Sequence, residues 1–573
     1  MNSHFSRAKT KLHAIRRMRA PQIYGHIRRR IRNRLVPKFA ASYRASLEQA
    51  SIALPAFQPA PQAREMGAMV AKFFAAEYHD TVPSCFSGRF HIMNKTVDFG
   101  SVDRIDWQIA ADEGDRQIWR ANLAQMGYLT TALNHDEERA LAFAAQLIRS
   151  FLKYGRFEHS SDFVVIWHPY IASRRVQSLV SLMLLLPERF RGSSEWKEIE
   201  AFTRFNVIYV LRNLEVDLGF NHLERNLAAL AIFSLCCGSV PPEIAAALHR
   251  HFESIVRDTV GDDGVPKERS ATYHVLTVQS FRIFRALPIW SDAQRHLLET
   301  RLAQLELSLA ALTLGDGHPV LFNDSWLGET PPISEIVDNS RLGFHAMPDG
   351  GYVRLAQGDW VIVMDAGPIG PDENPGHGHA DYLSIEVSIG ERRLIVDPGT
   401  LIYAKSEVRD HLRSWEAHNG PSFVGAQPVT FVDAFQVGNR AAAVLRRAEV
   451  NNHGLQTAEG MLEFNGLKVE RSLAFDGQCL DIVDRWSGDG VRQSRFLIPA
   501  GWSLEREANK IFLRADNHCV SFTWDQDVEV KVGSGLWSRY YRIQEQAHEI
   551  VILPRSSTAK IRLRCEDVSV QEA

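Results

Sequence analysis

No aspartate or glutamate precedes Glu48, although Arg7, Lys9, Lys11, Arg16, Arg17, Arg19, Arg28, Arg29, Arg30, Arg32, Arg34, Lys38 and Arg44 all do. The plainest reading of this segment is a solvated basic arm or helix. The sharper reading is a peripheral foothold on an anionic membrane surface or on a partner. Other absences exclude whole classes. The segment has no continuous apolar stretch of the kind a secretory signal needs. Apolar runs elsewhere, such as Ser178 to Pro187, fall short of the ~20 residues that span a bilayer. The six cysteines (Cys85, Cys236, Cys237, Cys479, Cys519 and Cys565) form no Cys-x-x-Cys motif and no disulfide framework. They read as buried, reduced thiols of a cytoplasmic protein, and any metal site must rest on His and Asp. A net charge of -3 supplies no general attraction to polyanions, so nucleic acid is not an expected partner.

What is present suggests two large domains. At 573 residues the chain is too long for one ordinary core, and 45% apolar with 23% charged residues is a soluble globular composition. Before about residue 330, apolar residues recur at three- and four-residue intervals. The spacing predicts helices over segments such as Glu137 to Tyr154, Arg175 to Leu186, Glu198 to Leu214, Leu223 to Cys237 and Asp292 to Leu314. After about residue 345, short strand-like runs such as Trp360 to Met364 and Lys468 to Leu473 alternate with Gly, Asp and Asn turns. The expected organisation is a basic arm over 1–60, an α/α helical array or toroid over 61–330 and an antiparallel β-sandwich over 331–573. The stretch from Gly315 to Ser340, rich in Gly, Pro, Asp and Ser, is the expected join.

The densest chemistry lies in Asn374-Pro-Gly-His377-Gly-His379-Ala-Asp381, followed by Asp397-Pro-Gly, Arg409 and His418-Asn419. Histidines and acids packed this closely suit a metal site, an acid–base site, or both. Two histidines and an aspartate are a natural zinc set, with Asp397 and His418 available to join His379. A simple hairpin turning at Gly390-Glu391 sets Asp397 opposite Ser384, on the order of 16 Å from His379 at strand rise. The glycine-rich loop must therefore fold back for these groups to meet. Upstream, Asn221 followed by Glu224 reads as an N-cap and capping box, which leaves His222 unexplained at a helix N-terminus suited to an anion. Tyr273 stands in the first turn of a later helix. Trp167-His168-Pro-Tyr170 with Arg174 either lines a sugar groove or packs a helix joint. Asn323-Asp324-Ser325-Trp326 reads as a turn in the join.

Taken in order, Trp167-His-Pro-Tyr170 with Arg174, Asn221-His222, Glu268 to His274, His377-Gly-His379-Ala-Asp381, Val396-Asp397-Pro-Gly with Arg409, and Ala417-His418-Asn419 resemble the heparinase II/III-like polysaccharide lyases. The resemblance implies an α/α toroid followed by an antiparallel sandwich. It also implies β-elimination on a uronic-acid-containing polysaccharide or oligosaccharide. It casts Asn221 and His222 as neutralisers of the sugar carboxylate and Tyr273 and His377 as the acid–base pair. Trp167, His168, Tyr170, Arg174, Glu268 and Arg409 fall to the substrate, and His379, Asp397 and His418 to a structural zinc. A lyase kept in the cell with a basic arm suggests exopolysaccharide synthesis or turnover. Two alternatives stand beside it: a glycoside hydrolase using carboxylates such as Glu224, Asp263 or Glu268, and a glycan-binding subunit of a polysaccharide biosynthesis system that has lost turnover.

Overall fold

A computed structural model describes residues 19–109, 117–338 and 342–566. Residues 1–18, with the first basic residues of the chain, lie outside the described residues.

The helical half is built from antiparallel helices joined by short turns. Asp136 caps the helix Glu137–Tyr154 by accepting from the Arg139 N–H at 3.0 Å. Pro169 opens the helix Pro169–Leu185, where its missing N–H leaves no bond unmade. That helix packs against Ala63–Tyr78, Ser194–Arg212 and Phe220–Ser234. Neighbours on several sides explain why it buries Arg174 and Arg175 along with its leucines. The described part of the basic segment is two helices, Ala20–Leu35 and Ala40–Ile52. They are docked on the toroid: Arg29 pairs with Asp217 at 2.8 Å, and Arg32 donates to Asn213 at 3.0 Å.

The second half is an antiparallel β-sandwich. An eight-stranded sheet, with Ala443–Val450 and Ser503–Arg506 at its two edges, faces a five-stranded sheet (His345–Met347 to Arg392–Ile395) and a four-stranded sheet. The strands Gln456–Phe464 and Leu467–Phe475 alternate between buried and part-exposed residues, as a sheet with one covered face requires. Their inward residues Ala458, Leu462, Val469 and Leu473 join Val353, Ile362, Phe496 and Ile550 in one core.

The join departs from expectation. Residues 321–327 are buried and pass between the two domains, so they do not form a surface turn. Leu321 N–H donates to Glu386, and Asn323 N–H donates to Asp381 at 2.9 Å. Arg269, at the head of the helix Ala271–Arg285, ties the domains directly by pairing with Asp365 and the Gly350 carbonyl.

Candidate active site

Phe220–Ser234 opens differently from the capping box read in the sequence. Gly219 (φ 66°), not Asn221, stands at the cap, and no side chain of the helix caps it. The free Asn221 N–H is met from outside by Glu268 at 3.1 Å. Glu224 instead accepts from Thr277 at 2.8 Å. This releases the Asn221 side chain from capping. Its Oδ1 is buried without a partner, and a half-turn of the amide would present the NH2 there.

One residue further on, His222 Nδ1 lies 3.1 Å from Glu215 Oε1, and His168 Nδ1 lies 3.3 Å from the same oxygen. The other Glu215 oxygen accepts from Asn226 at 3.0 Å. Among the described residues, His168, Glu215 and His222 are the group of three whose ligand-type atoms lie within 4.8 Å of one another. Two imidazole N–H donors sharing one carboxylate account for that closeness. Burial pushes the Glu215 carboxyl up, but the two imidazoles outweigh it and hold it at about 2. Burial pulls His222 down, and Glu215, helped by Glu268, more than reverses this, leaving it raised. His168 is pulled down to about 4 by burial. The Tyr170 ring stands 5.1 Å from the His222 ring, at the same spot.

From the sandwich side, His377 approaches Tyr273 with ring centroids 4.3 Å apart. Ser270 caps the tyrosine's helix, and its hydroxyl donates to the Asp324 carbonyl at 2.6 Å, fixing the two domains at this point. The Tyr273 hydroxyl lies 3.4 Å from that of Tyr403. Burial, with Tyr170 and Glu329 nearby, raises the phenol well above its usual range.

Asp324, in a stretch whose sequence predicts only a turn, is the hub of this cluster. His377 Nδ1 lies 3.1 Å from its Oδ2 and His379 Nε2 3.0 Å from its Oδ1, while Arg409 grips both oxygens. Burial pushes the carboxyl up; Arg409 and the two histidines overcome this and hold it well below the usual range. Arg409 is buried, with its two terminal nitrogens on Asp324 and its Nε unpartnered, so it orients the Asp324 carboxylate.

Several residues expected at the substrate are buried and bonded within the protein. Trp167 is buried among aromatic rings including Phe157 and Tyr209, and its indole N–H donates to the Gly155 carbonyl at 3.0 Å. Arg174 is buried and paired with Glu77 at 2.6 Å. Glu268 is buried under Asn221. Of the six, His168 and Tyr170 remain partly open beside His222.

The glycine-rich loop does fold back. A Cβ on Gly378 would lie 2.0 Å from the Ile369 carbonyl oxygen, so only glycine allows the approach. The fold brings the His379 and His418 rings to 5.6 Å between centroids. The hairpin turns at Gly390-Glu391 as expected, with one register shift between Val387 and Ser388. His379 Nδ1 and His418 Nε2 are both buried with no partner, and burial lowers the two imidazoles to about 3 and about 4. Each of these nitrogens could give one ligand to a metal ion, but among the described residues His379, Asp397 and His418 do not gather as the expected three-ligand set. Asp397 lies 2.7 Å from His418 Nδ1, so its carboxylate holds the second nitrogen of that ring.

Residues 339–565 match the family described as heparinase II/III-like, C-terminal. No curated protein matches the sequence. Among solved structures, a heparinase III superposes with a TM-score of 0.65 at 13% identity, covering 93% of this chain and 91% of that one. The heparan sulfate lyase HepC from Pedobacter heparinus gives 0.54 at 17% identity, over 92% and 88%. At these identities the likeness is one of fold, and it spans both domains. Residues 339–565 are thus similar to the heparinase II/III-like C-terminal family, and the toroid-and-sandwich fold is that of the solved neighbours.

Proposed function

We propose that the protein is a polysaccharide lyase that cleaves a uronic-acid-containing polysaccharide by β-elimination. The observation that carries this reading is the meeting of Tyr273 and His377 across the domain boundary, 4.3 Å apart, next to a histidine whose protonated form is favoured.

The C5 proton of a uronate is hard to remove because the adjacent carboxylate is already negative. His222, held protonated by Glu215, and the Asn221 amide neutralise that group as charge develops on it. His377 donates Nδ1–H to Asp324, which leaves the Nε2 lone pair to accept the C5 proton. The C–H electron pair forms the C4–C5 double bond as the C4–O4 bond breaks. Tyr273, kept as the neutral phenol, gives its proton to the departing O4. His168 and Tyr170 complete the carboxylate side of the cleft.

A zinc ion bound by His379 and His418, with Asp397 in support, belongs to the same proposal. It would supply structural bracing to the loop that carries His377. The hydrolase alternative loses its carboxylates. Glu224 and Glu268 are buried and engaged, and the Asp263 carboxylate accepts from the Val265 and Gly350 N–H groups. A role in exopolysaccharide synthesis or turnover, and a cytoplasmic location peripheral to a membrane, follow from the same reading. Incubation with a panel of glucuronate-, iduronate-, mannuronate- and galacturonate-containing polymers tests it. A conjugated product absorbing in the ultraviolet is the expected result, and saturated ends alone would refute it.

A further inference from the structure

The helix Ala20–Leu35 is docked the wrong way round for a water-soluble surface. At 3.6 residues per turn, Ile23, Ile27 and Ile31 fall on one side with Tyr24 and Leu35 beside them. A helix of a globular protein normally turns such a stripe inward. Here the only buried residue of the helix is Gln22, and the side facing the protein carries His26, Arg29 and Arg32. The apolar side faces outward: Tyr24 is 70% exposed, Ile27 52%, Ile31 53% and Leu35 45%, and Phe39 follows at 63%. Arg28, Arg30, Arg34 and Lys38 are exposed on and beside this stripe, with Arg34 falling between Ile23 and Ile27 around the helix. Arg30, Arg34 and Lys38 form no ion pair among the described residues.

The geometry points to an anionic lipid surface as the partner of this face. The helix would lie in the plane of the interface, with its isoleucines and Tyr24 among the acyl chains and its arginines at the headgroup phosphates. No helix among the described residues is long and apolar enough to cross a membrane, so the contact is peripheral. Charge decides against a second copy of the chain, because a two-fold contact would set each basic rim against its own image. Apolar residues at the centre of the face decide against a purely phosphate partner. Arg19, at the start of the helix, pairs with Glu373 of the sandwich at 2.9 Å. Docking therefore keeps the part of the sandwich that carries Glu373 close to the membrane. The inference extends the membrane part of the proposed function and is independent of the chemistry in the cleft.

Flotation of the full-length protein with vesicles tests it. The protein is expected to float with vesicles of phosphatidylglycerol and phosphatidylethanolamine, less so as salt rises, and not with phosphatidylcholine alone. Ile27→Asp/Ile31→Asp is expected to abolish flotation, and Arg30→Gln/Arg34→Gln to weaken it by roughly tenfold or more. Both variants keep full activity on soluble substrate, which separates this inference from the lyase reading. Absence of binding to anionic vesicles overturns it, as does unchanged binding by the Ile27→Asp/Ile31→Asp variant. Lipid-free self-association that the same variant abolishes also overturns it, in favour of a dimer.

Discussion

His377 Nδ1 lies 3.1 Å from Asp324 Oδ2, although the two residues are 53 apart in the chain. The contact fixes which imidazole nitrogen carries hydrogen, and so which can accept a proton. Asp324→Asn replaces an acceptor with a group that can donate and disturbs that tautomer. The expected outcome is a fall in kcat of roughly 10²–10⁴-fold with KM little changed. Steady-state kinetics check it. An unchanged kcat would remove Asp324 from the acid–base apparatus.

Tyr273→Phe keeps the ring against His377 and removes only the hydroxyl. Elimination is expected to fall by at least about 10²-fold, because the hydroxyl assigned to protonate O4 is gone. Binding of an oligosaccharide, measured by calorimetry, should persist. Loss of binding with retained turnover would reverse the assignment.

Glu215 raises His222, and burial opposes it. Glu215→Gln removes the raising charge and leaves the burial. The protonated imidazole is then lost at lower pH, so the alkaline limb of kcat/KM is expected to move to lower pH. Glu268 acts in the same direction as Glu215 and Arg29 against it, so the limb moves without vanishing. A profile identical to wild type contradicts the proposed role of His222.

Trp167→Ala separates packing from recognition. Emptying a fully buried tryptophan site is expected to cost about 3–5 kcal/mol of stability. Thermal or denaturant unfolding reads this directly. An intact Tm with a raised KM would restore Trp167 to the substrate groove.

Metal content follows from the two orphaned imidazole nitrogens. The purified protein is expected to carry zinc, and His418→Ala to lose it together with thermal stability. Wild-type protein that is metal-free and unaffected by a chelator in its Tm would leave those nitrogens without an occupant.

Local signals in the chain were reliable where the physics is local. Glu137–Tyr154 matches its predicted span because an apolar 3.6-residue period and the Asp136 cap agree. The sandwich strands were legible from alternation and turn residues. Asn221 was misread because its orphaned N–H is satisfied by Glu268, 47 residues away, which no short-range pattern reveals. Asp324 was read as a turn residue for the same reason, its partners His377, His379 and Arg409 lying 53 to 85 residues downstream. Trp167 and Arg174 suit either a sugar groove or a helix joint by composition, and the packing places both in the core. The folding back of the His377 loop rests on Gly378 meeting the Ile369 carbonyl, a contact that spacing alone does not show.

The central claim is that chain cleavage proceeds without water entering the product. Digestion of a uronate polymer in heavy-oxygen water, followed by mass spectrometry of the fragments, tests it most directly. The account predicts new non-reducing ends that are unsaturated and lack one water, formed by wild type and not by Tyr273→Phe. New non-reducing ends that are saturated, with water added across the cleaved bond, would contradict it.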